Sequence, residues 1–190
     1  MDVFDAAYAR RSIRRFKRTQ VPRDMLVKLV DCARLAPSGM NRQPLKYVIV
    51  DEPEQAADVF SHTRWAGYLK GRGSPSMEQR PPAFILVLND TSIAKDGFLL
   101  DAGAAIQTIL LGACVMGLDT CWLGAVDREE IGEIIGLDNL FEIISVVAVG
   151  YGDMVSLQEE SQGDIRYYLD EEGQLHVPKR KLAEILLKMG

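Results

Sequence analysis

Residues 98–116 read Phe-Leu-Leu-Asp-Ala-Gly-Ala-Ala-Ile-Gln-Thr-Ile-Leu-Leu-Gly-Ala-Cys-Val-Met. Such a stretch predicts a long helix that is apolar nearly all round. A helix of that kind needs cover on every side, from a bilayer, a domain core or another chain. Asp101 and Gln107 interrupt it, and Gly103 and Gly112 lie within it. A charge at membrane depth is costly, so a buried soluble helix is the better reading and no membrane is expected. Ala102, Gly103, Ala104 and Ala105 let a neighbouring backbone come close. The helix therefore belongs at the centre of a domain or in a subunit interface, and Gly117 ends it.

The other elements have to be arranged around it. Asp2 is placed to cap a short helix over 2–9. Pro22 starts a second helix, with Met25, Leu26, Leu29, Val30 and Ala33 along one face. Residues 37–44 are a Pro- and Gly-punctuated loop. Strands are expected at 47–50, 83–88 and 143–149, and helices at 53–60 and from Asp127 to Gly136, while 120–123 leads into Gly124. The runs 83–88 and 143–149 are continuously apolar, as strands buried on both faces are. Residues 61–82 are irregular, and a loop of that length in a compact domain usually has a function. A hairpin is expected across 165–177, and a last helix over 181–189. No regular βαβ alternation emerges. The class is α+β, a sheet layered with helices, in one domain over 1–190.

Charge narrows the partners. The formal net charge is -5, which argues against nucleic acid. Yet Arg10, Arg11, Arg14, Arg15, Lys17 and Arg18 fall within nine positions, and Lys179, Arg180 and Lys181 form a second knot. Two tight basic knots in an acidic chain suit one small anion such as a phosphate. Cys32, Cys114 and Cys121 are an odd set in apolar contexts, and no leader precedes them. They read as small core residues in a reducing cytoplasm. With His62 and His176 as the sole histidines, no metal site is expected.

Four constellations carry chemistry. Arg10-Arg11-Ser12-Ile13-Arg14 offers guanidinium forks and a hydroxyl, which chelate phosphate oxygens. Pro37-Ser38-Gly39-Met40-Asn41-Arg42-Gln43-Pro44 sets polar side chains on a stiff loop, as the edge of a polar ring requires. Cys121-Trp122-Leu123-Gly124 puts a glycine N–H where a flat ligand can approach. Val177-Pro178-Lys179-Arg180-Lys181 can return to the phosphate from the far end of the chain. Each also has a plain alternative: a solvated basic face, a polar turn, a packed tryptophan, an exposed helix start.

In order and spacing the four together resemble the nitroreductase family of flavoproteins, over about residues 6–187. The stretch Asp101-Ala102-Gly103-Ala104-Ala105-Ile106-Gln107 adds to the likeness. The resemblance implies a three-layer α/β/α sandwich with a central, mostly antiparallel sheet, forming an intertwined homodimer. It implies FMN as cofactor, NADH or NADPH as electron donor, and a small organic acceptor such as a nitroaromatic or quinone in a ping-pong exchange. It places Arg10, Arg11, Ser12 and Arg180 on the FMN phosphate, with Lys179 beside them, and Arg14 near the pyrimidine edge of the flavin. Many members carry lysine at that position; arginine keeps the charge that favours a reduced, anionic flavin. Pro37, Ser38, Gly39, Met40 and Asn41 would come from the partner subunit, with Gln43 in support, and Trp122, Leu123 and Gly124 would flank the reactive ring. No side chain is assigned as nucleophile, acid or base. Relatives with other flavin chemistry (dehalogenation, substrate oxidation, flavin fragmentation) and a non-catalytic FMN-binding role are the alternatives. The region 61–82, with His62, Arg64, Trp65, Tyr68 and Arg72, departs from the best-known members and could roof the pocket.

Overall fold

The computed structural model describes residues 1–188. Asp2 caps α1 (Val3–Ala9): its carboxylate accepts from the Asp5 N–H, and Asp5 answers at the Asp2 N–H. Then come α2 (Arg23–Ala33), β1 (Leu45–Val50), α3 (Pro53–Ser61), β2 (Ala83–Asp90) and α4 (Phe98–Val115). The chain continues through β3 (Asp119–Leu123), α5 (Arg128–Ile134), β4 (Phe141–Gly150), β5 (Ser156–Glu160), β6 (Tyr168–Leu169), β7 (Leu175–Lys179) and α6 (Leu182–Ile185). A central sheet runs in the order β1-β2-β4-β3, and every pairing in it is antiparallel.

The period-two geometry of β2 separates two cores. Ala83, Ile85 and Val87 face one side, where they meet Leu26, Leu29 and Ala33 of α2 and Ala105, Ile106 and Ile109 of α4. Phe84, Leu86 and Leu88 face the other, against Ala56 and Val59 of α3 and Ile131 of α5. The architecture is thus an α/β/α sandwich with a strand at its centre that is apolar on both faces. Fully burying each of the Val, Leu, Ile and Phe side chains among these contributes roughly 1.5–3 kcal/mol.

The helix α4 is less covered than its composition predicts. Its mean hydropathy is 1.8 over Phe98–Val115, yet its outer side leaves Leu99 66%, Leu100 84% and Val115 51% exposed. Cys121 is a core residue, with burial pushing its thiol up to about 11, but Cys32 and Cys114 are only half-buried. The apolar context of the latter two therefore reflects a helix flank rather than a core.

A second sheet, in the order β5-β7-β6, holds the C-terminal part. Here β5 runs parallel to β7, and β6 antiparallel to it. The hairpin expected across 165–177 is present as β6 and β7; β5, with the sequence Ser-Leu-Gln-Glu-Glu, carries no apolar alternation to announce it. The predicted last helix shrinks to Leu182–Ile185, and Met189 lies outside the described residues. A single turn whose Leu182 and Ile185 remain exposed has no packing to extend it.

Candidate functional site: a cationic cavity between the chain ends

After α1 the chain runs extended along the central sheet. The Ile13 N–H donates to the Thr120 carbonyl (2.9 Å), Lys17 N–H to Tyr151 (2.8 Å), and Asp153 N–H returns to Arg15 (2.8 Å). Ile13 and Phe16 turn into the core, at 5% and 1% exposure. Gly150 makes room: a β-carbon there would sit 2.9 Å from the Phe16 ring and 2.6 Å from Pro82. With the apolar side chains committed inward, Arg10, Arg11, Ser12 and Arg14 are left on a cavity of about 640 Å³. The basic knot is divided in the process. Arg18 lies elsewhere, 3.1 Å from Glu78.

The opposite wall comes from the far end of the chain, with Gln158 of β5, Tyr167, and Val177 and Lys179 of β7. Phe4, Ala7 and Tyr8 of α1 complete it. The lining includes three guanidinium groups, one ammonium and the hydroxyls of Ser12, Tyr8 and Tyr167, and no carboxylate among the described residues. Burial, and then the neighbouring Arg10, lower the Arg11 pKa, the mark of cations gathered without a counter-ion. Arg14 lies with its guanidinium carbon 4.8 Å from the Tyr167 ring centre, and its buried Nη1 has no hydrogen-bond partner among the described residues. Of the two late cations, it is Lys179 that lines the cavity. Arg180, just past the end of β7, instead faces Glu184 across 3.6 Å.

The 37–43 loop is held apart from this cavity. The Ser38 hydroxyl donates to Asp101 (2.6 Å), the Gly39 N–H to the other oxygen of the same carboxylate (2.9 Å), and the Gln43 N–H to Ser38 Oγ (2.9 Å). Met40, Asn41 and Gln43 all have φ between 52° and 55°, a costly conformation for three side-chain-bearing residues so close together. Pro37, Ser38 and Gln43 line a smaller pocket of about 200 Å³ with Tyr47 and Asp101, while Met40 is 91% exposed and Asn41 also faces outward. The anchor, Asp101, is the acid that stands out in the apolar run of α4.

Trp122 and Gly124 are exposed and Leu123 is buried; none of them lines the cationic cavity within this chain. The Trp122 indole N–H donates to Ser145 Oγ (2.5 Å), whose hydroxyl donates to the Leu123 carbonyl (2.7 Å). Arg128 pins the end of β3 to β4, donating to the carbonyls of Gly124 (3.2 Å), Ile143 (2.9 Å) and Ile144 (3.1 Å). The latter two sit where the pairing of β2 with β4 slips by a residue. Arg128, Gln158 and Tyr167 carry no signal in the sequence, since each owes its place to a tertiary contact.

An antiparallel sheet sandwiched by helices, with a ring-walled, cation-rich cavity joining its two chain ends, defines an α+β protein that accommodates a planar anionic ligand. A model of the Nitroreductase family matches residues 7–151, and the chain belongs to that family. It is 31% identical over 151 residues to a protein of Archaeoglobus fulgidus provisionally described as an NADH dehydrogenase/NAD(P)H nitroreductase, covering 76% of this chain and 82% of that one. It is 28% identical to a 4-nitrobenzoate reductase of Pseudomonas putida, covering 80% and 86% of the two chains. Among solved structures, a provisionally assigned nitroreductase from Desulfovibrio desulfuricans in complex with FMN superposes with a TM-score of 0.71 at 25% identity, over 100% of this chain and 98% of that one.

Proposed function

We propose that this chain is an FMN-dependent oxidoreductase that passes electrons from NADH or NADPH to a small organic acceptor such as a nitroaromatic or a quinone. The observation that carries this reading is the cavity of about 640 Å³, where cations from both ends of the chain meet aromatic and aliphatic walls without a carboxylate. Its size suits a mononucleotide, and the unpartnered Arg14 Nη1 supplies a buried donor in need of an acceptor.

Arg10, Arg11, Ser12 and Lys179 hold the phosphate, and Arg14 presents positive charge to the ring system. Bound FMN supplies the two-electron exchange between donor and acceptor. The chain contributes position and charge, and no side chain here needs to act as nucleophile. The segment 122–124, which follows the Thr120 paired with Ser12, flanks the ring system, and the loop 37–43 completes the site from a second copy of the chain. Support for that comes from the exposed Met40 and from the uncovered apolar sides of α1 and α4, where Phe4 is 72% and Leu100 84% exposed.

Titration with FMN, followed by its visible absorbance and fluorescence, tests the reading. The wild-type chain takes up FMN and is then reduced by NAD(P)H under anaerobic conditions. Arg10→Ala combined with Lys179→Ala weakens FMN binding by at least about a hundredfold, since each charged hydrogen bond is worth roughly 1.5–3 kcal/mol, while riboflavin binding changes little. Equal losses for FMN and riboflavin would remove the phosphate assignment. A wild-type chain that takes up neither would remove the proposal.

A further inference from the structure

The segment 61–82 reaches the cationic cavity through a stack of three side chains. A single helical turn, 67–69, is flanked by Ala66 and Lys70, with φ of 46° and 48°. Both are in the left-handed region, so the turn is fixed by its surroundings rather than by local preference. Those surroundings are specific. Leu69 is buried to 4% exposure, and Gly73 packs so tightly that a β-carbon would sit 2.4 Å from the Ala66 side chain. The turn thereby presents Tyr68 to Tyr167, with ring centres 4.9 Å apart at 49°, and the Tyr68 N–H donates to the Tyr167 hydroxyl across 3.4 Å. On Tyr167 in turn rests the Arg14 guanidinium, 4.8 Å from the ring centre.

Beyond Tyr167, the Arg14 side chain lies within interaction distance of the Cys121 sulfur. No carboxylate pairs with it among the described residues, and its Nη1 is buried without a partner. A long side chain carrying a charge at a cavity wall loses its bearing unless something takes up the guanidinium plane, and an aromatic face does so without neutralising the charge. An acidic partner would have cancelled the field that Arg14 directs into the cavity.

We propose that Tyr167 is a positioning residue for Arg14, and that the segment 61–82 acts on the site by bracing Tyr167 through Tyr68. The inference rests on the FMN reading above and deepens it. The stack holds the one cation whose charge matters most when the bound ring system gains negative charge on reduction. Phosphate capture by Arg10, Arg11 and Lys179 does not depend on it.

The test compares the affinity of the purified protein for oxidised FMN with that for dithionite-reduced FMN, in the wild type, Tyr167→Leu, Tyr167→Phe and Tyr68→Ala. Tyr167→Leu lowers the preference for reduced FMN by about tenfold, within the range of a partly desolvated cation–π contact. Tyr167→Phe keeps the aromatic face and stays within about twofold of wild type. Tyr68→Ala, which leaves Tyr167 in place but unbraced, shifts the preference in the same direction by about threefold. Binding of both redox forms weakened to the same degree in Tyr167→Leu would show a structural role only and overturn the inference. So would a Tyr167→Phe variant that behaves like Tyr167→Leu. Either result leaves the FMN reading intact, whereas a wild type that takes up neither form removes that reading and this one with it.

Discussion

Asp101 shows how much of this site hangs on one side chain. Its two oxygens hold the Ser38 hydroxyl and the Gly39 N–H, and Ser38 passes the restraint to Gln43. Three residues of that loop sit at positive φ, so without the anchor the loop relaxes toward commoner backbone shapes. Asp101→Ala is expected to cost about 2 kcal/mol in urea unfolding, as loss of a charge-assisted hydrogen-bond pair does, and to weaken FMN binding as well. Asp101→Asn, which retains one good acceptor, falls between. An unchanged unfolding midpoint in Asp101→Ala would mean that the loop holds its shape unaided. Asp101 is legible in the sequence only as an anomaly, an acid in an apolar helix. Its task depends on a loop some sixty positions away, and no local pattern in the sequence encodes that distance.

Among the elements, the second sheet has a pH dependence built into it. Both ring nitrogens of His176 face carboxylates, Nδ1 toward Glu159 at 2.9 Å and Nε2 toward Asp170 at 3.2 Å, and the ring stacks on Tyr168. With an acceptor on each side the imidazole favours its charged form, and the hydrogen bonds to Glu159 and then Asp170 raise its pKa above the ordinary 6.5. A raised native value means that the folded protein holds this proton more tightly than the unfolded chain. The stabilisation is complete below 6.5 and drains away as pH rises through the native value. Glu159 works in the opposite sense: the hydrogen bond from His176 holds it below 4.5, so its share is lost on acidification. The urea midpoint should therefore fall as pH rises above the ordinary histidine value of ~6.5, and His176→Gln should flatten that slope. A slope that survives the substitution would place the titrating group elsewhere. This sheet is also the least legible element. β2 and β4 announce themselves by unbroken apolar runs, because both of their faces are covered. β5 is polar, and its strand character comes from pairing with β7, a partner in register but not in pattern. α6 is shorter than its sequence predicts for the converse reason: its apolar spacing suits a helix, but Leu182 and Ile185 stay exposed among the described residues.

For the whole molecule, the question is what covers the apolar surface of α1 and α4. Phe4 and Tyr8 are 72% and 75% exposed, and Leu99 and Leu100 are 66% and 84% exposed. Clusters of large apolar side chains in water usually mark an interface. The site gives a second reason, since the strained loop 37–43 lies off the cationic cavity of its own chain. A second copy packed on these helices would hide the apolar surface and bring the loop to a cavity in one step. Sedimentation velocity at micromolar concentration is then expected to find a dimer. Leu100→Glu, which buries a charge only if the helix is covered, shifts it toward monomer. Because Leu100 is exposed within its own chain, the thermal stability of the resulting monomer changes little by comparison. FMN affinity falls with the dimer, by about tenfold or more, if half of each site is borrowed. A monomeric wild type that binds FMN tightly would refute the shared site; a dimer indifferent to Leu100→Glu would move the interface off α4 while leaving the cationic cavity where it is.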